Sequence, residues 1–160
     1  MRLSAGVPVL LSDLITPDRI KIPLVSHDKD ELLRELVEVV TRGGGIDDPE
    51  DLLRAVRERE AVLSTGIGNG VAIPHGKSPA VPELRMAAGT TAEPVDFDAL
   101  DGQPVRLFFL LVGPESAAGQ HIKALSRISR LVRREDIRST LLAARNAEEF
   151  YRALRNAEGV

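Results

Sequence analysis

The sequence predicts an α/β fold, with a mixed central β-sheet flanked by helices in a single domain of residues 1–160. Two observations support this prediction. Short runs rich in Val, Ile, Leu and Phe are mixed along the chain with amphipathic segments that begin at capping residues. A length of 160 residues, with 43% apolar and 28% charged residues, suits one hydrophobic core in a globular domain.

The first predicted elements are a strand and a helix. Residues 20–25 have weak strand character, and Asp28 with Glu31 makes a capping box that starts a helix. The apolar stripe of this helix consists of Leu32, Leu33, Leu36, Val37 and Val40. The glycines at positions 43–45 end the helix.

A second helix is predicted to begin at Asp48, because Pro49 then occupies the first helical position. Its apolar side chains face inward, and the helix extends as far as Arg59 and Glu60. A glycine-rich segment follows, and residues 71–73 after it have strand character because two of them are β-branched.

Two longer strands are predicted at residues 84–91 and 105–112, and Asp101-Gly102 forms a turn between them. The second strand reads V-R-L-F-F-L-L-V, which is almost continuously apolar. Strands of this kind are covered on both faces, so we expect it at the centre of the sheet.

A long helix is predicted from Gly119, and Asp136 and Asn146 are predicted to cap two closing helices. One stripe of the long helix consists of His121, Leu125, Ile128 and Val132. This stripe is apolar except for the histidine at its start.

The composition argues against several classes of function. Four Phe, one Tyr and no Trp leave few stacking platforms for nucleic acid, and a net charge of −3 gives no general attraction to DNA or anionic lipid. Residues 119–155 are nevertheless basic, and four arginines lie there at helical spacing: Arg127, Arg130, Arg133 and Arg134. We expect a solvated helix face, with a docking surface for an acidic partner as the alternative.

The absence of cysteine removes disulfides, thiol catalysis and cysteine-based metal sites, and it is compatible with a cytoplasmic location. Residues 1–14 lack the pattern of a secretion signal. The longest charge-free apolar run, residues 107–114, is too short to cross a bilayer, so no membrane insertion is expected.

The most informative segment covers residues 66–77 and reads G-I-G-N-G-V-A-I-P-H-G-K. Its glycines permit close approach of the backbone, and Pro74 fixes the chain where His75 is presented. The segment is not a Walker loop, because five residues separate Gly70 from Gly76 and one of them is proline. A valine stands where a dinucleotide-binding loop needs its last glycine or alanine.

Each of the three histidines has a structural alternative to a chemical role. His27 lies beside a helix cap and suits a surface or capping role, and His121 begins an apolar stripe, where a satisfied buried histidine is usual. His75 is the candidate for chemistry. Without cysteine or an H-x-x-x-H pair, His75 and His121 are too few for a zinc site, so no metal and no cofactor are expected. No G-x-S-x-G elbow supports a serine nucleophile.

Three segments in this order resemble the enzyme IIA domain of the fructose–mannitol family in the bacterial phosphoenolpyruvate-dependent phosphotransferase system. They read R-E-R-E-A-V-L-S-T-G-I-G-N-G-V-A-I-P-H-G-K, D-F-D-A-L-D-G-Q-P-V-R-L-F-F-L-L-V-G-P and Q-H-I-K-A-L-S-R-I-S-R-L-V. The resemblance covers essentially the whole chain, from L-S-D-L-I-T-P near the start to the last helices.

This resemblance implies a phosphocarrier. His75 of the I-P-H motif would accept a phosphoryl group from an HPr-like carrier protein, on either imidazole nitrogen, and form a phosphohistidine. A neutral imidazole suits this role, because a pKa of about 6.5 leaves a nucleophilic nitrogen near pH 7. The same motif match places the second histidine at His121 and the phosphate-binding arginine at Arg59.

The resemblance also implies supporting groups around the phosphoryl site. The guanidinium of Arg59 can hold two phosphoryl oxygens, and an imidazole N–H can donate to a third. Arg57 lies two residues away on the helix and is not expected to face the same point. The remaining expected phosphate-binding or supporting residues are Ser64, Thr65, Gly76 and Lys77, and the first two have turn formation as their alternative.

Two branches of the family and one other class remain as hypotheses. Sugar-specific members pass phosphate to a IIB domain during sugar transport, whereas nitrogen-regulatory members bind regulatory targets according to their phosphorylation state. Asn69, Gly76 and the length favour the regulatory branch, with sugar uptake as the alternative. The hypothesis of another class is a binding module without phosphotransfer. Loss of His75 or Arg59 would indicate that class, and both are present.

Overall fold

A mixed six-stranded β-sheet forms the centre of the computed structural model, which describes residues 9–160. The strands are β1 (Ile20–Leu24), β2 (Gly66–Gly68), β3 (Val71–Ala72), β4 (His75–Lys77), β5 (Arg85–Val95) and β6 (Val105–Gly113). Their order is β1-β5-β6-β3-β2, and β4 also pairs with β6. The expectation about a secretion signal falls mainly on residues 1–8, which lie outside the described residues.

Parallel and antiparallel pairs coexist in this sheet. Strands β5 and β6 are antiparallel neighbours, whereas β1 pairs with β5 in parallel, and both β3 and β4 pair with β6 in parallel. Strand β6 is central, as its apolar run predicts, and each of its residues except Arg106 is buried. The predicted α/β class with a mixed sheet is confirmed.

Five α-helices accompany the sheet within residues 9–160: α1 (Lys29–Val40), α2 (Pro49–Val62), α3 (Ala118–Val132), α4 (Glu135–Ala143) and α5 (Ala147–Glu158). The predicted caps at Asp28, Asp48 and Asn146 are confirmed. Each side chain accepts a hydrogen bond from the backbone N–H in the first turn of its helix, at 2.9, 3.1 and 2.9 Å respectively. Glycines with positive φ follow α1 at positions 43–45, as expected.

The predicted cap at Asp136 is wrong. Helix α4 begins at Glu135, so Arg134 occupies the N-cap position and its side chain makes no capping hydrogen bond. Asp136 instead lies in the first turn and accepts hydrogen bonds from the Arg134 guanidinium at 2.7 and 3.2 Å. A carboxylate is favourable both at a cap and in a first turn, where it faces the positive end of the helix dipole, so residue type alone did not separate the two positions.

The alternation of side chains along β6 divides the core into two layers. Phe108, Leu110 and Val112 pack in a cluster with apolar residues of α1 and α2. The other face of the strand, including Phe109, packs with apolar residues of α3, α4 and α5. Each large side chain buried in this way stabilises the fold by about 1.5–3 kcal/mol. The sheet is thus held between two helical layers.

Three of the four arginines at helical spacing make contacts within the chain. Arg127 Nε lies 2.6 Å from a carboxylate oxygen of Glu158, Arg130 donates to Ser126 Oγ at 2.8 Å, and Arg134 binds Asp136. These contacts favour the predicted solvated helix face over a docking surface.

Two features of residues 9–160 bear on function. No helix there is long and apolar enough to cross a membrane. Nor do three or more His, Asp or Glu side chains come together there in a group able to hold a metal ion.

Candidate active site

His75 begins β4, a short strand held against the C-terminal part of β6. His75 pairs with Leu111 and Gly76 with Val112 in parallel register. The N–H of Leu111 donates to the carbonyl oxygen of Pro74 at 3.0 Å. The central strand therefore fixes the backbone on both sides of the histidine.

The imidazole of His75 is half-buried, and its orientation is set by a backbone carbonyl. Nδ1 lies 2.9 Å from the carbonyl oxygen of Ile73. A carbonyl oxygen only accepts hydrogen bonds, so Nδ1 carries the proton in the neutral ring. Nε2 is left with a free lone pair, so it is the ring nitrogen that is able to act as a nucleophile.

His121, near the start of α3, is buried beside His75. Its residue exposure is 2%, and the centroids of the two rings lie 5.5 Å apart with planes at 67°. Neither ring nitrogen of His121 has a hydrogen-bond partner among the described residues. An unsatisfied buried polar group costs about 1–3 kcal/mol, so this is not the satisfied buried histidine that the apolar stripe suggested. Its nitrogens are available to a bound polar group.

Arg59 reaches the same cleft from the last turn of α2. Its Nη1 donates to the carbonyl oxygen of Leu63 at 2.8 Å, which holds the guanidinium at the end of the helix. Arg57 is directed elsewhere: its Nε lies 2.9 Å from Oδ1 of Asp30. The two arginines are thus separated, as their spacing on a helix predicts.

A cleft of about 370 Å³ brings together five of the residues that the sequence indicated: Arg59, His75, Gly76, Lys77 and His121. Ile122 and Leu125 also line it. Lys77 is exposed, and its Nζ lies 3.8 Å from an oxygen of Glu115. A larger cleft of about 520 Å³ along the start of α2 is lined by acidic residues and arginines and contains no histidine.

Gly76 allows α2 to pack closely against β4. A Cβ at this position would lie 3.0 Å from Cγ2 of Val56 and 3.1 and 3.2 Å from its backbone N and Cα. Contacts this short with backbone atoms require the helix to move, because the interior is close-packed. The glycine therefore lets α2 carry Arg59 next to the histidines.

Ser64 and Thr65 do not line the cleft, and their hydroxyls are used elsewhere. Ser64 Oγ donates to the carbonyl oxygen of Phe97 at 3.0 Å. The buried Thr65 donates both its hydroxyl and its backbone N–H to the carboxylate of Glu60. Both residues hold the turn after α2, which agrees with their predicted alternative role.

Both histidines are neutral at pH 7. Burial lowers the pKa of His75, as do the charges of Arg59 and Lys77, against the opposing effects of the Ile73 carbonyl and Glu60. Burial, followed by the proximity of His75 and of Lys77, lowers the pKa of His121 to about 4. A neutral ring with a free lone pair is the form in which histidine acts as a nucleophile.

Sequence reasoning missed Glu60, which is 6% exposed although it is charged. Its carboxylate accepts two hydrogen bonds from Thr65 and pairs with Lys29 Nζ at 2.9 Å. One signal was present: Glu60 follows Leu53 and Val56 on the apolar stripe of α2, where helical spacing buries a side chain.

Comparison with known proteins gives consistent matches. A family described as "Phosphoenolpyruvate-dependent sugar phosphotransferase system, EIIA 2" matches residues 13–157. A nitrogen regulatory protein from Bradyrhizobium diazoefficiens is 38% identical over 144 residues, which cover 90% of this chain and 94% of that protein. A fructose-specific EIIABC component from Bacillus subtilis is 38% identical over 138 residues, which cover 86% of this chain but 22% of that protein.

Among solved structures, the crystal structure of the nitrogen regulatory protein IIA-Ntr from Neisseria meningitidis is similar with a TM-score of 0.83 and 34% identity. The match covers 89% of this chain and 97% of that one. The chain and this relative therefore share both the fold and a substantial part of the sequence.

Proposed function

The chain belongs to the EIIA 2 family of the phosphoenolpyruvate-dependent sugar phosphotransferase system and is a IIA phosphocarrier, and on this premise we propose that His75 carries its phosphoryl group as a phosphohistidine. The family match over residues 13–157 also supports treating residues 1–160 as one domain. The donor is an HPr-like carrier protein, itself phosphorylated on histidine.

One observation supports this assignment above the others. His75 has Nδ1 bound to the Ile73 carbonyl and faces His121, whose two buried nitrogens have no partner among residues 9–160. Arg59 lines the same cleft. The group combines one free nucleophilic nitrogen with a buried polar group and a cation, which is the combination that phosphoryl transfer requires.

The transfer step needs no proton movement within this chain. The Nε2 lone pair of His75 attacks the phosphorus of the donor phosphohistidine, and a P–N bond forms as the donor N–P bond breaks. The bonding pair leaves with the donor imidazole, which becomes neutral. Nδ1 of His75 keeps its proton and its hydrogen bond to the Ile73 carbonyl. This hydrogen bond stabilises the positive charge that the phosphorylated ring acquires.

The charge of the phosphoryl group is held by groups that are already in place. The guanidinium of Arg59 donates to its oxygens, and a neutral His121 donates from whichever nitrogen carries its proton. Lys77, at the exposed end of β4, adds positive charge that attracts the donor's phosphate. Such preorganised donors contribute most when the bound carrier excludes water.

Direct mass measurement tests the proposal. After incubation with enzyme I, HPr and phosphoenolpyruvate, we expect the wild-type protein to gain one phosphate that mild acid removes, and His75→Ala to gain none. His27→Ala is the matched control, because His27 is an exposed histidine outside the cleft. Phosphate on His75→Ala refutes the assignment of the residue. No gain on wild type with its cognate HPr favours the binding-module hypothesis.

We further propose that the protein acts in the nitrogen-regulatory branch and binds a regulatory target according to its phosphorylation state. The similarity to the Bradyrhizobium protein over 94% of that relative and the TM-score of 0.83 with the Neisseria structure support this branch. The 38% identity to the Bacillus EIIABC component supports the second candidate, transfer to a IIB domain during fructose uptake.

The fate of the phosphoryl group distinguishes the two branches. Phosphorylated protein is incubated with membranes of the source cells, with and without fructose or mannitol. Loss of phosphate that depends on the sugar supports the sugar-specific branch. A phosphohistidine that persists with either sugar, and affinity for a purified regulatory target that differs between the two phosphorylation states, support the regulatory branch.

A further inference from the structure

A buried carboxylate connects the end of α2 to the segment that leads to His75. Glu60 is 6% exposed, and its Oε2 accepts a hydrogen bond from the Thr65 N–H at 2.9 Å while Oε1 accepts from the Thr65 hydroxyl. Lys29 Nζ lies 2.9 Å from the same carboxylate and 4.9 Å from the centroid of the Phe97 ring. The charge of Glu60 is therefore both paired and fully hydrogen-bonded, as burial requires.

Two further hydrogen bonds, one between backbone groups and one from the His75 ring to the backbone, continue from Thr65 to the imidazole. The carbonyl oxygen of Thr65 accepts from the N–H of Ile73 at 2.9 Å. The carbonyl oxygen of Ile73 in turn accepts from Nδ1 of His75 at 2.9 Å. Thr65, which donates two hydrogen bonds to Glu60, is thus linked through Ile73 to the carbonyl oxygen that accepts from His75.

We propose that Glu60 is a positioning residue for His75: through Thr65 and Ile73 it keeps the proton on Nδ1 and directs Nε2 into the cleft. This inference rests on the proposed phosphoryl-acceptor role of His75. Glu60 does not line the cleft, so it acts through the backbone and not by contact with the phosphoryl group. Lys29 neutralises the carboxylate without a direct bond to the segment of residues 65–73.

The chain contains a second carboxylate of the same kind, which serves as a control. Glu35 is 5% exposed, pairs with Lys21 Nζ at 2.6 Å, and accepts hydrogen bonds from the N–H groups of Val25 and Ser26 and from the Ser26 hydroxyl. Lys21 lies on β1, at the edge of the sheet opposite to β2. Substitution of Glu35 therefore removes a buried ion pair and hydrogen bonds to the backbone, as substitution of Glu60 does. It leaves the hydrogen bonds from Thr65 through Ile73 to His75 unchanged.

The experiment compares Glu60→Gln, Thr65→Val and Glu35→Gln with the wild type. Nitrogen-15 shifts of the His75 ring in the unphosphorylated protein report which nitrogen carries the proton. We expect one tautomer, protonated at Nδ1, in wild type and Glu35→Gln, and a mixture of both tautomers in Glu60→Gln and Thr65→Val. Thr65→Ser, which keeps the hydroxyl, is expected to restore the single tautomer.

Transfer kinetics provide the second readout. At saturating phosphorylated HPr, we expect the rate constant of Glu60→Gln to fall by about tenfold to hundredfold, because small misplacement of a reacting group has effects of this size. The KM for the donor should stay within about twofold, since the docking surface is unchanged. Glu35→Gln is expected to keep the wild-type rate even if its melting temperature falls.

The inference is overturned if Glu60→Gln has the nitrogen-15 shifts of the wild-type His75 ring and the wild-type rate constant of phosphoryl transfer. If Glu60→Gln does not fold, Thr65→Val decides the question, because it removes one of the two hydrogen bonds and keeps the backbone donor. The tautomer measurement needs no phosphate. A wild-type protein that accepts no phosphate therefore refutes the proposed function, while the ring shifts still decide whether Glu60 positions His75.

Discussion

The imidazoles of His75 and His121 meet edge to face, with ring centroids 5.5 Å apart and planes at 67°. They come from different layers of the fold, since His75 lies on β4 and His121 near the start of α3. One ring is tied to a backbone carbonyl, and the other has no hydrogen-bond partner within residues 9–160. This asymmetry supports the proposed roles of His75 as the nucleophile and of His121 as a group that stabilises charge.

Substitution of His121 by leucine should separate activity from stability. The change removes a donor to the phosphoryl group, so we expect the transfer rate to fall by about a hundredfold. It also removes two unsatisfied buried nitrogens, so the unfolding free energy at pH 7 should rise by about 1 kcal/mol. Quenched phosphoryl-transfer assays measure the rate, and denaturant titration measures the unfolding free energy. An unchanged transfer rate would contradict the role of His121.

The same residue should make stability dependent on pH. His121 takes up a proton near pH 6.5 in the unfolded chain, whereas the folded pKa is lowered to about 4 by burial and by the neighbouring His75 and Lys77. Between these values the unfolded state binds more protons, so stability is complete above pH 6.5 and declines as pH falls towards 4. The melting temperature of His121→Leu should therefore exceed that of wild type by a margin that grows from pH 7 to pH 5. A constant margin would count against the lowered pKa.

Arg59 and Arg57 form a matched pair for testing phosphate binding. Arg59→Lys keeps the charge but loses the planar fork, so we expect phosphoryl transfer to slow by about tenfold or more. Arg57→Lys should have little effect on transfer, and its exposed pair with Asp30 contributes at most about 1 kcal/mol to stability. Rates at saturating donor distinguish the two. Equal losses in both variants would show that general charge, and not a specific guanidinium, assists the reaction.

Gly76→Ala should damage both stability and transfer. The added Cβ would lie within 3.2 Å of the backbone of Val56, so α2 and Arg59 must shift away from His75. We expect a loss of about 1–3 kcal/mol in unfolding free energy, together with slower transfer. Gly119→Ala is the control, because Gly119 lies in the first turn of α3 and an added Cβ there meets no atom within 4 Å. Wild-type behaviour of Gly76→Ala would refute the packing argument.

Local chemistry made much of the fold predictable. Asp28, Asp48 and Asn146 each cap the helix that follows, because a cap depends only on residues within one turn. The position of β6 followed from its own apolar run. Asp136 was misassigned because the boundary between α3 and α4 depends on how both helices pack, which local residue preferences do not include.

The site was less accessible to reasoning from the residues alone. Pro74 and the glycines indicated His75, but the proximity of His121 came from the resemblance to a family and not from spacing. Glu60 was missed because its charge suggested a surface position, while its contacts depend on the turn at Thr65 and on Lys29 of another helix. Contacts between distant segments decide such roles, and a single sequence does not display them.

The hydrogen bond that holds the proton on Nδ1 of His75 ends at a main-chain oxygen, and every residue type has such an oxygen. Replacement of Ile73 would change packing without removing this acceptor. In the proposed mechanism, the selection of the reactive nitrogen is therefore tolerant of mutation at position 73, because any side chain there leaves the acceptor in place. A designed phosphocarrier would need to copy the backbone path from residue 73 to residue 75, with freedom in the side chain at its start.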